Sequence, residues 1–268
     1  MTLNAYKIRL RQLAKRWLKE KLIPINRKLD GIATAQYLGH KITYEPTTGI
    51  GGHIFSSGEF EKKEMELCKE YISETSIVLD IGANIGLHSI YFSGLAKDGC
   101  ILSFEPSLAT FSFLVSNVAN IYNIVPINLA VSDEGKVADF YHASDNAYSS
   151  LIDTKRKEVV SVIKVPCMRV DDVVSGLRLD RVDFVKIDVE GLEFEVLKGM
   201  LDVISKYQPV IFCEIYKGSH SNQQPDETVQ LLIEKGYRAF VMCKGVLVDY
   251  EIHNDAFYNY LFLPRDME

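Results

Sequence analysis

Nowhere in the 268 residues does an apolar run approach the ~18–20 residues that a membrane-spanning helix needs. The start of the chain also lacks the continuous apolar stretch of a secretory signal, so a cytoplasmic protein is expected. Cysteine is sparse and irregular: Cys68, Cys100, Cys167, Cys213 and Cys243 form no C-x-x-C pair. Cys100, Cys213 and Cys243 lie in or beside apolar, strand-like runs, which points to reduced core thiols rather than a disulfide scaffold or a zinc site. The six histidines (His40, His53, His88, His142, His220, His253) show no H-x-H, H-x-x-H or H-E-x-x-H spacing. G-x-G-x-x-G, the turn that places backbone amides against a pyrophosphate, is missing as well.

Positive charge is scarce everywhere except at the start. The net charge of -6 divides into +7 over residues 1–30, with nine Lys/Arg against Glu20 and Asp30, and -13 over the remainder. An acidic body is a poor partner for nucleic acid, whose affinity comes largely from phosphate neutralisation. In the basic segment Tyr6, Leu10, Leu13, Ala14, Trp17 and Leu18 recur at helical spacing, which predicts an amphipathic helix ending near Pro24. Such a helix serves for packing, for self-association or for peripheral contact at the inner membrane surface.

What is present is a strand–helix alternation. Residues 1–58 read as an N-terminal extension, helical and then irregular, and 59–268 as one domain. Apolar strands are predicted at Ile77–Ile81, Ile101–Phe104, Val125–Val131, Phe184–Ile187, Val210–Ile215, Arg238–Met242 and Tyr258–Leu263. Helices are predicted at Leu87–Ala96, Leu108–Ile121, Phe194–Met200 and Glu227–Lys235, with a polar insertion at about 141–166. The pattern implies an α/β, Rossmann-like fold with a mostly parallel sheet covered on both faces.

The first strand runs into Asp80-Ile81-Gly82-Ala83-Asn84-Ile85-Gly86. Gly82 permits close backbone approach to a ligand, and Gly86 permits close helix–strand packing. An acid before the first glycine would repel a pyrophosphate but suits S-adenosylmethionine, which is cationic and carries no phosphate. The second strand ends in Phe104-Glu105-Pro106-Ser107, where an acid accepts hydrogen bonds from ribose hydroxyls. Gly82, Ala83, Asn84, Gly86, Glu105, Pro106, Ser107, Ala130 and the acids Asp80 and Asp188 are therefore the expected donor-binding residues.

These residues resemble the FkbM-type methyltransferases. The likeness rests on DIGANIG at 80–86, FEPS at 104–107, Ala130-Val131-Ser132-Asp133, Asn146–Leu151 and above all Val182–Gly191 with its Lys186-x-Asp188-x-Glu190-Gly191, followed by Glu193 and Leu197-Lys198-Gly199. It covers about residues 75–215. The resemblance implies a class I methyltransferase with a seven-stranded sheet whose last strand is antiparallel, and O-methylation of a sugar, glycan or related small molecule. Cys167-Met168-Arg169 departs from the usual pattern before Val170-Asp171-Asp172, so the acceptor does not carry over.

Three acids are placed for transfer to a hydroxyl, which needs its proton removed or its oxygen polarised. Asp188 ends the fourth strand and is the expected base or orienting group; Glu190 and Glu214 shape the pocket. Glu190 alternatively caps the following helix. Carboxylates alone are a weak metal signature, so no metal ligand is assigned, although a divalent ion is a second possibility. His142, His53, Ser149 and Ser150 are further candidates on the acceptor side. The alternatives are a nicotinamide oxidoreductase and an inactive donor-binding module that recruits partners.

Overall fold

The computed structural model describes residues 31–216, 225–254 and 256–267. The expected N-terminal helix lies outside them. Two compact units divide at Phe60 and Glu61. In the first, β1 (Ala33–Tyr37) and β2 (His40–Tyr44) form an antiparallel hairpin. Its two-residue turn, Leu38-Gly39, has positive φ at both positions, as the right-handed twist of the strands requires. Helix α1 (Gly49–Ser57) follows, with the Thr48 hydroxyl accepting from the Gly51 N–H.

The second unit opens with α2 (Lys62–Cys68) and then builds the strand–helix series: β3 (Ile77–Ile81), α3 (Leu87–Leu95), β4 (Cys100–Phe104), α4 (Leu108–Val118) and β5 (Ile124–Ile127). After β6 (Ala130–Val131), β7 (Lys136–Ala143) and β8 (Val159–Met168) come α5 (Val170–Gly176), β9 (Phe184–Ile187), α6 (Glu193–Lys198), α7 (Leu201–Tyr207) and β10 (Val210–Glu214). Helix α8 (Pro225–Glu234), β11 (Tyr237–Cys243), β12 (Val246–Asp249) and β13 (Asn259–Pro264) close the chain. The large sheet runs β12-β11-β13-β10-β9-β3-β4-β5. Strands β10, β9, β3, β4 and β5 are parallel, and β13 enters antiparallel between β10 and β11.

Eight strands stand where seven were expected. The extra one, β12, pairs with β11 through a Lys244-Gly245 turn of positive φ. The predicted third strand divides in two because Asn128 turns the chain, donating from Nδ2 to the carbonyls of Glu105 (2.8 Å) and Pro106 (3.0 Å). Its first part is edge strand β5, where Pro126 sacrifices no ladder bond; its second, β6, joins a separate sheet of order β6-β8-β7. The polar insertion is thus an ordered antiparallel hairpin, its polarity reflecting one solvated face. The departing segment at Cys167–Asp172 serves the fold. Its buried Asp171 carboxylate accepts from the N–H groups of Asp202 (3.3 Å) and Val203 (3.0 Å), capping α7.

Odd-numbered residues of the central strands (Leu79, Ile81, Val185, Ile187, Ile211, Cys213) pack against Val173, Val196, Val203 and Val229 of α5–α8. Even-numbered residues face the other way, where Phe92 of α3 meets Phe184 edge-on with ring centroids 5.6 Å apart. That alternation places Asp80 and Lys186, apart from the apolar core, on the α3 face at the strand ends.

Candidate active site

The turn after β3 is held by β4. The N–H groups of Gly82 and Ala83 both donate to the Phe104 carbonyl, at 3.0 and 2.9 Å. Gly82 has φ +83°, and a Cβ there would lie 1.8 Å from the Asp188 carbonyl oxygen. Gly86 has φ +92°, and a Cβ there would meet Leu114 of α4 at 2.7 Å. Gly82 is thus favoured on two counts, conformation and a backbone too close for a Cβ, and Gly86 chiefly by its conformation. Glu105 is buried and spans the turn: Oε2 accepts from the Asn84 N–H (3.2 Å) and Oε1 from the Ser107 N–H (2.9 Å). Burial pushes its pKa up to about 7, against the lowering effect of those two amides. Ser107 also caps α4 through its hydroxyl. Pro106 offers its carbonyl to Asn128. Ala130, expected near the donor, lies on β6, which pairs with β8, and packs in the core of the small sheet with Phe140, Val165 and Cys167.

Asp80, expected to face the donor, is 0% exposed. Its Oδ2 accepts from the Ser89 hydroxyl at 2.5 Å, and Ser89 lies 2.8 Å from the Ser103 hydroxyl. Directly across the parallel ladder stands Lys186, itself 3% exposed. Its Nζ is 3.9 Å from Asp80 Oδ1, donates to Asp188 Oδ2 at 3.0 Å and approaches the Gly82 carbonyl at 3.5 Å. Burial works against the ammonium, but the carboxylates of Asp188, Asp80 and Glu61 outweigh it and hold the Lys186 pKa above its ordinary value.

Beyond β9 lies a small, partly open pocket lined by Asp188, Glu190, Gly191, Glu193, Glu214 and Tyr216. Asp188, Glu190 and Glu214 bring carboxylate oxygens within 4.8 Å of one another, a spacing that oxygen-ligated cations accept. Two of the three already face a cation: Asp188 has Lys186, and Glu190 is ion-paired with Arg156. Burial, followed by the negative charge of Asp188, pushes the Glu190 pKa up to about 8, with Arg156 pulling the other way. Glu214 is raised by burial and then by Asp188 and Glu190. Glu193 is pushed up to about 7 by burial, although its Oε1 accepts from the Gly191 N–H at 2.9 Å. Glu190 has φ +59°, a left-handed conformation that turns the chain sharply out of the strand. It precedes α6 by three residues, and its carboxylate binds Arg156 rather than a helix amide.

The hairpin insertion reaches this loop at two points. The Ser150 hydroxyl donates to the Val189 carbonyl at 2.9 Å, and Arg156 binds Glu190 while lying over the rings of Tyr148 (4.4 Å) and Tyr216 (4.9 Å). Ser149 instead accepts from the Ala143 N–H within the hairpin. His142 sits on β7 opposite Ser161, and His88 pairs with Glu61 at 3.1 Å behind the turn. Sequence reasoning passed over Arg156, the middle of the Lys155-Arg156-Lys157 run in the polar insertion, and gave Lys186 no role beyond its place in the Lys186-x-Asp188-x-Glu190-Gly191 motif.

A mixed sheet with a parallel centre, a glycine turn at the end of β3 and acids at the ends of the neighbouring strands place the chain in the Rossmann-like α/β class, in which ligands bind at the carboxyl ends of the strands. The profile of the Methyltransferase FkbM domain matches residues 80–239, and the chain belongs to that family. It is a methyltransferase, which removes the nicotinamide oxidoreductase alternative. Among its relatives, Methyltransferase 1 of Beauveria bassiana is 28% identical over 169 residues, 54% of this chain and 68% of that protein. The hexuronic acid methyltransferase AglP of Haloferax volcanii is 27% identical over 175 residues, 65% of this chain and 68% of the relative. A solved FkbM methyltransferase from Methylobacillus flagellatus aligns with a TM-score of 0.48 at 15% identity, covering 78% of this chain and 46% of that one.

Proposed function

We propose that the chain transfers a methyl group from S-adenosylmethionine to a hydroxyl of a sugar, glycan or similar small acceptor, with Asp188 receiving the hydroxyl proton. One observation carries this reading: within Asp80, Lys186 and Asp188, only the Asp188 side chain, 26% exposed, reaches the pocket, and its backbone abuts Gly82 of the donor turn. The residues fit the donor. A carboxyl-braced turn offers a close backbone approach, and the adjoining pocket is lined by acids that suit a cation. When bound, S-adenosylmethionine supplies an electrophilic methyl group on a positively charged sulfur.

In the step, the S–CH₃ bond breaks as the O–CH₃ bond forms. The electron pair returns to sulfur, cancelling its charge, and the hydroxyl proton passes to the Asp188 carboxylate. Alignment of oxygen, carbon and sulfur supplies much of the rate. Tyr216 in the pocket lining, and the hexuronic acid relative, support a carbohydrate acceptor. Among the described residues no helix is long and apolar enough to cross a membrane.

The test uses labelled S-adenosylmethionine with hexuronic acid glycosides as acceptors. Asp188→Asn should bind donor within about threefold of the parent yet lose about 10²-fold or more in turnover. Full turnover in the folded variant removes Asp188 from the proton transfer, and an inert parent enzyme across the acceptor panel removes the carbohydrate assignment.

A further inference from the structure

We propose that Lys186 is a positioning residue for the transfer step, and that Asp80 acts through it rather than by touching the donor. The proposal rests on the assignment of the proton-accepting role to Asp188.

The register sets this up. Asp80 and Lys186 are direct partners on adjacent parallel strands, and both side chains point to the α3 face. Asp80 is wholly closed to solvent, so a ligand ammonium has no path to its carboxylate. Ser89 and Ser103 hold one oxygen from behind; the other makes no hydrogen bond and lies 3.9 Å from the Lys186 ammonium. That ammonium spends its hydrogens forward, on Asp188 Oδ2 at 3.0 Å and toward the Gly82 carbonyl at 3.5 Å. The polar contacts of Lys186 are therefore with the donor turn, the proposed base and its own counter-charge. An isolated ammonium at this depth carries a heavy desolvation penalty, and the carboxylates of Asp188 and Asp80, with that of Glu61, offset it. The unit of two acids and one base keeps one net negative charge, and the only member able to present it to the pocket is Asp188.

The experiment separates contact from positioning. Donor affinity is measured calorimetrically for S-adenosylmethionine and for 5′-methylthioadenosine, which lacks the amino acid group, and turnover is measured with hexuronic acid glycosides at saturating donor. Asp80→Asn should leave the preference for S-adenosylmethionine over methylthioadenosine within about threefold of the parent and lower turnover by about tenfold or more. Lys186→Met should also lower turnover, with Lys186→Arg recovering part of it. Should Lys186→Met fail to fold, the Asp80→Asn result decides. The proposal is overturned if Asp80→Asn cuts that preference by about tenfold or more while turnover stands, which would put Asp80 on the donor ammonium. It is equally overturned if both variants turn over normally. Failure of the base assignment shows separately, as an active Asp188→Asn enzyme with the Asp80→Asn binding result unchanged.

Discussion

Donor binding should depend on pH through Glu105. Its carboxyl is buried against the turn and titrates near 7 before the donor arrives. In the proposed role both Glu105 oxygens accept from ribose hydroxyls, which favours the ionised form, so the donor is expected to bind the deprotonated carboxyl. With a pKa of about 7, about one site in eleven is ionised at pH 6 and most are at pH 8, so the affinity should fall roughly tenfold across that interval, or about 1.4 kcal/mol. Binding near pH 6 must also release close to one proton, visible as a binding enthalpy that changes with the ionisation enthalpy of the buffer. The ligand and the neighbouring acids Glu190 and Glu193 titrate in the same range, so the control is Glu105→Gln. The variant keeps the side-chain shape, loses one amide bond and should flatten this part of the profile. The same proton affects stability. A carboxyl raised from 4.5 to about 7 favours the folded state fully below pH 4.5, and that contribution is lost as pH rises to 7. Calorimetric titrations of both proteins between pH 6 and 8, in paired buffers, decide the matter. Identical pH profiles for parent and Glu105→Gln would refute the reasoning.

Gly82→Ala forces a methyl into the Asp188 carbonyl and strains a φ of +83°; it should cost about 2 kcal/mol or more and abolish donor binding, and an unshifted melting temperature would contradict the close approach. Asp171→Ala removes the cap of α7 and should lower stability by about 1–2 kcal/mol, read from denaturant midpoints, with donor affinity unaltered; an unchanged midpoint would show that the cap is dispensable. Chelation should leave turnover within about twofold, because Arg156 already pairs with Glu190 and the Lys186 ammonium lies against Asp188; activity lost in chelator and restored by magnesium would assign the cluster to a cation.

The parts of this molecule that were legible in the sequence are those governed by local rules. Ile77–Ile81 and Phe184–Ile187 are short and apolar on both faces, as buried parallel strands must be. Gly82 and Gly86 announce the turn because nothing else tolerates their backbone. Asp188, Glu190 and Glu214 fall at strand ends and do converge. The rest depended on pairings that sequence order conceals. The pairing of Asp80 was hidden because its partner, Lys186, lies 106 positions away and becomes its neighbour only through strand register. Ala130 read as the end of the third strand, yet Asn128 diverts the chain into a second sheet. The hairpin β7–β8 reads as a polar loop because its exposed face is solvated. The strand β12 is only four residues long and follows a tight turn.

The absence of a side chain at Gly82 has one more consequence. Where the nucleoside-facing turn crosses the Asp188 carbonyl, two backbones touch with no flexible group between them to absorb displacement. A shift of that turn would be passed directly to Asp188, so that, under the proposed roles, loading one substrate would set the aim of the group that takes the proton from the other.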